Sequence, residues 1–175
     1  MLKKTVFFDR DGTLIIDKVY LNDPEQIIYL PGVFEALGQL RDAGFQFVIV
    51  TNQSGVPRGL VTIENLNEIH RRIEAEFAKH GIHFVGIYYA PHTVESNHEL
   101  RKPNAGMLLE AARDHHVDLP QSWIVGDRLT DAEAGHRAGC RSIFLEGYEP
   151  ITPTSTQPTH SVKDILGAAH AILSN

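Results

Sequence analysis

Short, unbroken apolar runs alternate along the chain with stretches whose apolar residues recur every three or four positions. The runs at 5–8, 45–50, 84–90, 123–125 and 141–145 lack the regular polar alternation of a half-exposed strand. Such runs predict strands buried on both faces. Between them, Pro31-Gly32 opens a helix to about Ala43, with Val33, Phe34, Leu37 and Leu40 on one face and Gly44 closing it. Thr62 caps a helix to about His80, with Ile63, Leu66, Ile69, Ile73 and Phe77 on one face. Further helices are expected over 105–115, 131–138 and 161–173, the last turning Val162, Ile165, Leu166 and Ile172 inward. Residues 14–16 extend the first strand or form a flap, Asn22-Asp23-Pro24 is a turn, and 91–103 is a polar loop. Strand and helix alternating in this way predict an α/β fold, a mostly parallel central sheet with helices on both faces. No repeat and no second-domain boundary interrupts it. The expectation is one domain over 1–175, with a core at about 4–146, a Pro/Thr-rich surface loop at 146–160 and a C-terminal helix at 161–173.

In a parallel sheet, ligands bind beyond the carboxyl ends of the strands, and the polar clusters of this chain gather there. The first strand ends in Asp9 and Asp11, the second in Thr51 and Asn52, and the fourth in Asp127, with Asp131 one helical turn further on. Arg101-Lys102-Pro103 precedes the helix that leads into the fourth strand. Paired acids at a strand end are either turn residues or a site in which a cation relieves their repulsion. Three acids around a small pocket suit Mg²⁺, a hard ion that takes one or two carboxylates and keeps other oxygens. Lysine and arginine beside them suit a phosphate, with Thr51 and loop N–H groups for its remaining oxygens. A carboxylate against phosphorus can act as a nucleophile, and a second acid can carry the proton. Asp131 is either a first-turn residue favoured by the helix dipole or a group that orients Lys102 or a metal-bound water.

The 175 residues suffice for a domain with a real core. Hydrophobic and charged fractions of 42% and 22% are ordinary for a soluble protein. A formal net charge of -6 argues against nucleic acid or an anionic membrane as partner. Any anionic substrate then needs a local cationic pocket. A single cysteine, Cys140, excludes an internal disulfide and a Cys-rich zinc site. No run reaches transmembrane length, and the apolar segment after Lys3-Lys4 is too short for a signal peptide. A cytoplasmic monomer is expected.

Asp9-Arg10-Asp11-Gly12-Thr13, Thr51-Asn52-Gln53-Ser54-Gly55, Arg101-Lys102-Pro103 and Gly126-Asp127 resemble the four motifs of the haloacid dehalogenase superfamily, in particular its histidinol-phosphatase-like group. The likeness runs from about Val6 to Leu145. It implies a Rossmann-like three-layer sandwich without a large cap domain. It also implies a Mg²⁺-dependent phosphomonoester hydrolase that works through an aspartyl-phosphate. By position, Asp9 becomes the nucleophile and Asp11 the acid/base. Mg²⁺ would sit on the Asp9 carboxylate, the Asp11 backbone carbonyl and Asp127, with Thr51 and Lys102 stabilising the transferring phosphoryl group. Substrate contacts would come from Asp17, Lys18, Val19 and Tyr20, from Asn52, Gln53 and Ser54, and from Arg101 and Arg128. The implied substrate is a small phosphorylated metabolite, a heptose bisphosphate first and histidinol phosphate or another sugar phosphate second.

The chain departs from this group at two places. Arg128 stands where lysine is usual, which replaces a point charge by a fork. The loop 90–100 has Ala90, His92, His98 and Leu100 where the group often carries zinc ligands. Structural zinc wants four ligands, so no zinc is expected. Two readings of another class, a phospho-receiver and an inactive binding module, fit less well. A receiver would need an acid at the end of the third strand, where Ala90 and Pro91 stand, and an inactive module would have lost one of Asp9, Asp11, Lys102 or Asp127.

Overall fold

A computed structural model describes residues 1–175. Six strands form one sheet: β1 (Thr5–Phe8), β2 (Gln46–Asn52), β3 (Phe84–Ala90), β4 (Trp123–Gly126), β5 (Arg141–Leu145) and β6 (His160–Val162), in the order β3-β2-β1-β4-β5-β6. Every pairing is parallel. Period-two alternation sorts the apolar residues into two cores. Val6, Phe8, Phe47, Ile49, Trp123 and Val125 face one side, where α1 (Val33–Asp42), α2 (Ile63–Lys79) and α5 (Ile165–Leu173) pack. Phe7, Val48, Val50 and Ile124 face the other, against α3 (Gly106–His115) and α4 (Leu129–Ala138). This is the doubly wound arrangement, whose direction of winding reverses beside β1 and opens a crevice at the strand ends there. No helix is long and apolar enough to cross a membrane.

Local chemistry accounts for most boundaries. Gly44, at φ +86°, ends α1 in a conformation that costs glycine little. Thr62 Oγ1 accepts from Asn65 N at 3.1 Å and starts α2, with Leu66, Ile69, Ile73 and Phe77 inward. Ile63, expected on that stripe, is exposed as the first residue of the helix.

The C-terminal helix is shorter than expected. Ser161 and Val162 belong to the edge strand β6, paired to Phe144 and Leu145. Asp164 Oδ1 then accepts from Gly167 N at 2.8 Å, so α5 starts at Ile165. A three-residue edge strand has too short a pattern to be distinguished from a helix's first turn. Two other ends also move. Thr51 and Asn52 are strand residues because the pairing of β2 with β3 continues to Thr51↔Tyr89 and Asn52↔Ala90, beyond the end of its pairing with β1 at Ile49. Helix α4 begins at Leu129, since the Asp131 carboxylate reaches back to the Arg128 N–H and extends the first turn.

Phe77 is fully buried, with the rings of Tyr29, Phe34 and Phe84 at 5.8, 4.9 and 5.0 Å. Phe77→Ala should cost about 3–5 kcal/mol through lost contacts and a cavity. Urea unfolding measures this, and a loss below about 1 kcal/mol would contradict the packing role.

Candidate active site

The crevice at the strand ends is an open cleft of about 300 Å³, lined by residues that include Asp9, Asp11, Asn52, Arg101, Lys102 and Arg128. At its floor lies an ionic cluster. Lys102 Nζ is 2.9 Å from Asp9 Oδ1, 2.7 Å from Asp131 Oδ1 and 2.7 Å from the Val50 carbonyl oxygen. All three NH₃⁺ hydrogens are therefore used. Lys102, Asp9, Asp127 and Asp131 are all buried. Burial alone would pull the lysine's pKa down, but the Asp131 and Asp9 carboxylates outweigh it and hold the ammonium charged.

Asn52 fixes the backbone that carries this lysine. Its Nδ2 donates to the Lys102 carbonyl, and its Oδ1 accepts from the Lys102 N–H, both at 3.0 Å. Asp131 combines its two readings: Oδ1 pairs with Lys102 Nζ, while Oδ2 accepts from Arg128 N in the first turn of α4. Two glycines let the acids approach. A Cβ on Gly12, itself at φ +79°, would lie 2.1 Å from Asp127 Oδ2, and one on Gly126 would lie 2.1 Å from Asp131 Oδ2.

One lysine does not balance three acids. The ligand atoms of Asp9, Asp127 and Asp131 lie within 4.8 Å of one another. Asp127 Oδ1 is buried without a hydrogen-bond partner. Burial, then Asp9 and Asp131, push the Asp127 pKa up to about 8. Burial and Asp9, against the pull of Lys102, push Asp131 up to about 6. An orphaned carboxylate oxygen among close acids fits a hard divalent cation.

Asp11 is held on the other side of the motif. Arg10 Nε and Nη2 reach its Oδ1 at 3.2 and 3.0 Å, and Nη2 reaches Oδ2 at 2.9 Å. Gln53 Nε2 donates to the same Oδ2 at 3.0 Å. Burial raises the Asp11 pKa, with Arg10 opposing and Asp9 adding to the rise.

The cleft gathers Asp9, Asp11, Asp17, Val19, Asn52, Ser54, Arg101, Lys102 and Arg128 of the expected residues. It does not gather five others. Lys18 and Tyr20 lie outside the lining, both exposed, and Tyr20 packs toward Gly55 and Val61. Gln53 and Thr51 are buried behind it, Gln53 Nε2 donating to Thr51 Oγ1 at 2.8 Å. Asp127 opens instead onto a neighbouring cavity beside Gly12 and Thr13.

Thr130, Tyr148 and Glu149 line the cleft without having been expected. The Tyr148 ring lies over the Arg128 guanidinium, 3.1 Å from centroid to Cζ, and Glu149 Oε1 accepts from Leu129 N at 2.6 Å. Their signal was topological only, since Thr130 opens α4 just after β4, and the loop leaving β5, which carries Tyr148 and Glu149, starts at the same rim. In the loop 90–100, the His92 and His98 rings stack at 3.5 Å, and His98 Nδ1 accepts from Leu100 N.

A parallel doubly wound sheet with acids, a buried lysine and a hydroxyl at its switch point defines a hydrolase fold of one class. A HAD-hydrolase-like family model matches residues 99–168. The chain is 37% identical over 94% of its length, and 94% of the relative's, to D-glycero-beta-D-manno-heptose-1,7-bisphosphate 7-phosphatase of Pasteurella multocida. The Haemophilus ducreyi protein of the same name is 40% identical, over 83% of this chain and 84% of its own. The chain belongs to the haloacid dehalogenase superfamily. Among solved structures, the D,D-heptose 1,7-bisphosphate phosphatase of B. bronchiseptica, complexed with magnesium and phosphate, superposes with a TM-score of 0.85 at 31% identity, over 98% of each chain.

The raised Asp127 pKa makes a stability prediction. A group raised from 3.8 to about 8 on folding favours the folded state below its unfolded value, and that contribution is lost as pH rises toward 8. The metal-free protein should therefore lose thermal stability between about pH 4 and 8, and Mg²⁺ should restore more of it at pH 8 than at pH 5. Asp127→Asn should raise the melting temperature in EDTA and abolish the rise produced by Mg²⁺. Calorimetry with and without the ion checks this, and an Asn variant still stabilised by Mg²⁺ would remove Asp127 as a ligand.

Proposed function

We propose that this chain is a Mg²⁺-dependent phosphomonoester hydrolase whose substrate is a D-glycero-D-manno-heptose 1,7-bisphosphate, cleaved at the 7-phosphate. The observation that carries the chemistry is the Asp9 carboxylate, held at Oδ1 by a buried Lys102 and flanked by the orphaned Asp127. Mg²⁺, held by Asp9, the Asp11 backbone carbonyl and Asp127, would supply charge compensation for the phosphate oxygens. Asp9 attacks phosphorus, and its new O–P bond forms as the bond to the sugar oxygen breaks. Asp11 gives its proton to that leaving oxygen, a role its raised pKa suits. It then takes a proton from the water whose oxygen attacks the aspartyl-phosphate, releasing phosphate and restoring Asp9. Lys102 neutralises developing charge on the phosphoryl oxygens, and Thr51, buried behind the cleft, supports the site through Gln53, whose Nε2 donates to its Oγ1.

Support for a bisphosphate comes from Arg101. It lines the cleft in no ion pair, its Nη1 donating to the His92 carbonyl at 3.0 Å. An unpaired guanidinium in a binding cleft suits a second anionic group. Arg128, tied to Asp17 at 3.1 Å, would contact the sugar side, as would Val19, Asn52 and Ser54. The names of the relatives support the same substrate. We also infer that the loop 90–100 works without zinc, its four equivalent positions offering only His92 and His98. The chain would act as a single-domain monomer.

Phosphate release should be fastest from the heptose bisphosphate in a panel with sugar monophosphates and histidinol phosphate, and should vanish in EDTA. A preference for histidinol phosphate would overturn the substrate. Asp9→Asn should abolish turnover with the fold intact, and retained turnover would remove Asp9 as nucleophile. Arg101→Ala should raise KM for the bisphosphate and change that of monophosphates little. Elemental analysis of the purified protein should find no stoichiometric zinc.

A further inference from the structure

Arg10, the middle residue of Asp9-Arg10-Asp11, is a cation with 1% exposure. A buried guanidinium must find acceptors for a fixed fork of donors. Nε and Nη2 are used by Asp11. Nη1 lies 3.0 Å from Nε2 of His70. His70 occupies the inward stripe of α2 one turn after Leu66, where the pattern calls for an apolar residue, and is 7% exposed. Burial, then the charge of Arg10, lower its pKa to about 3, so the ring is neutral at working pH. A neutral ring that accepts at Nε2 carries its proton on Nδ1, an assignment made from the hydrogen bond. Gln53 closes the opposite side of Asp11 and ties it to Thr51.

Neither Arg10 nor His70 lines the cleft. They act through Asp11 alone. We propose that His70 and Arg10 form a brace behind Asp11 that fixes the direction in which its carboxyl presents a proton to the leaving oxygen. His70 is a positioning residue, set by a helix on the far side of the sheet edge. The proposal rests on the phosphatase reading above, with Asp11 as the acid.

The physical consequence depends on the leaving group. A sugar alkoxide is strongly basic and needs a proton as its P–O bond breaks, whereas a nitrophenolate leaves as the anion. A misdirected Asp11 therefore slows a sugar phosphate and spares an aryl phosphate. Ordinary damage to the site slows both. Removing the Nε2 acceptor lets Arg10 turn in search of another partner, and Asp11 turns with it.

Steady-state kinetics on a sugar phosphate and on p-nitrophenyl phosphate test this with His70→Leu, His70→Gln and Arg10→Lys. General acid catalysis is worth ~10²–10⁴-fold, so His70→Leu should lose about tenfold or more in kcat on the sugar phosphate and less than about threefold on the aryl ester. His70→Gln, which can still accept from Nη1, should stay near the parent on both. Equal losses on the two esters, or a glutamine variant as poor as the leucine, would overturn the brace while leaving the phosphatase reading intact. A parent protein that hydrolyses neither ester would overturn both. If His70→Leu does not fold by circular dichroism, Arg10→Lys carries the test, since it keeps the charge and loses the fork. Its loss should again fall on the sugar phosphate, and an equal loss on both esters would overturn the proposal.

Discussion

The site depends on one buried ammonium. Lys102 Nζ sits between Asp9 and Asp131 with a backbone carbonyl as third acceptor. Without it, Asp9 and Asp131 would have no ion-pair partner, and burying them would be prohibitive. With it, and with Arg128 Nε 3.6 Å from Asp127 Oδ2, the three carboxylates still outnumber the cations beside them, and Asp127 Oδ1 has no partner. The cluster is built incomplete. A site of this kind sacrifices some stability of the empty protein for affinity toward a cation and its phosphate ligand.

The scaffold delivers this arrangement with few devices. Winding reverses beside β1, so neighbouring strands β1, β2 and β4 end on one crevice while their connections run in opposite directions. Asn52 carries the geometry from β2 to the loop bearing Lys102 through two backbone hydrogen bonds. Gly12 and Gly126 remove the side chains that would block Asp127 and Asp131. Each acts at or beside a strand end, where the sheet fixes the backbone.

How much of this was legible in the sequence follows from what each feature depends on. Buried parallel strands show as apolar runs, and β3 and β5 begin and end where those runs do. Acids and a lysine at strand ends are readable because topology alone places them together. Edge strand β6 was not, since His160-Ser161-Val162 satisfies its backbone by pairing with β5 rather than by any pattern of its own. Gln53 was expected to face substrate, but an amide beside a buried hydroxyl and a carboxylate satisfies both by turning inward. His70 left a trace, a polar residue on an apolar stripe, whose meaning needed Arg10 beside it.

The acid cluster and the rest of the cleft rim are held in different ways. Asp9 and Asp127 follow strands β1 and β4, whose register is fixed by the sheet, and Asn52 at the end of β2 fixes the loop that carries Lys102. Around them lie segments held by a few contacts: Val19 in a left-handed turn at φ +67°, the loop with the stacked His92 and His98, and the segment that lays Tyr148 on Arg128. These contacts are few in number, so a single change in one segment can reshape the adjoining part of the cleft. The buried cluster of Asp9, Lys102, Asp127 and Asp131 has no such freedom. A new Cβ at Gly12 or Gly126, or a shorter side chain at Lys102, would disturb a charge balance that nothing else in the buried cluster can restore.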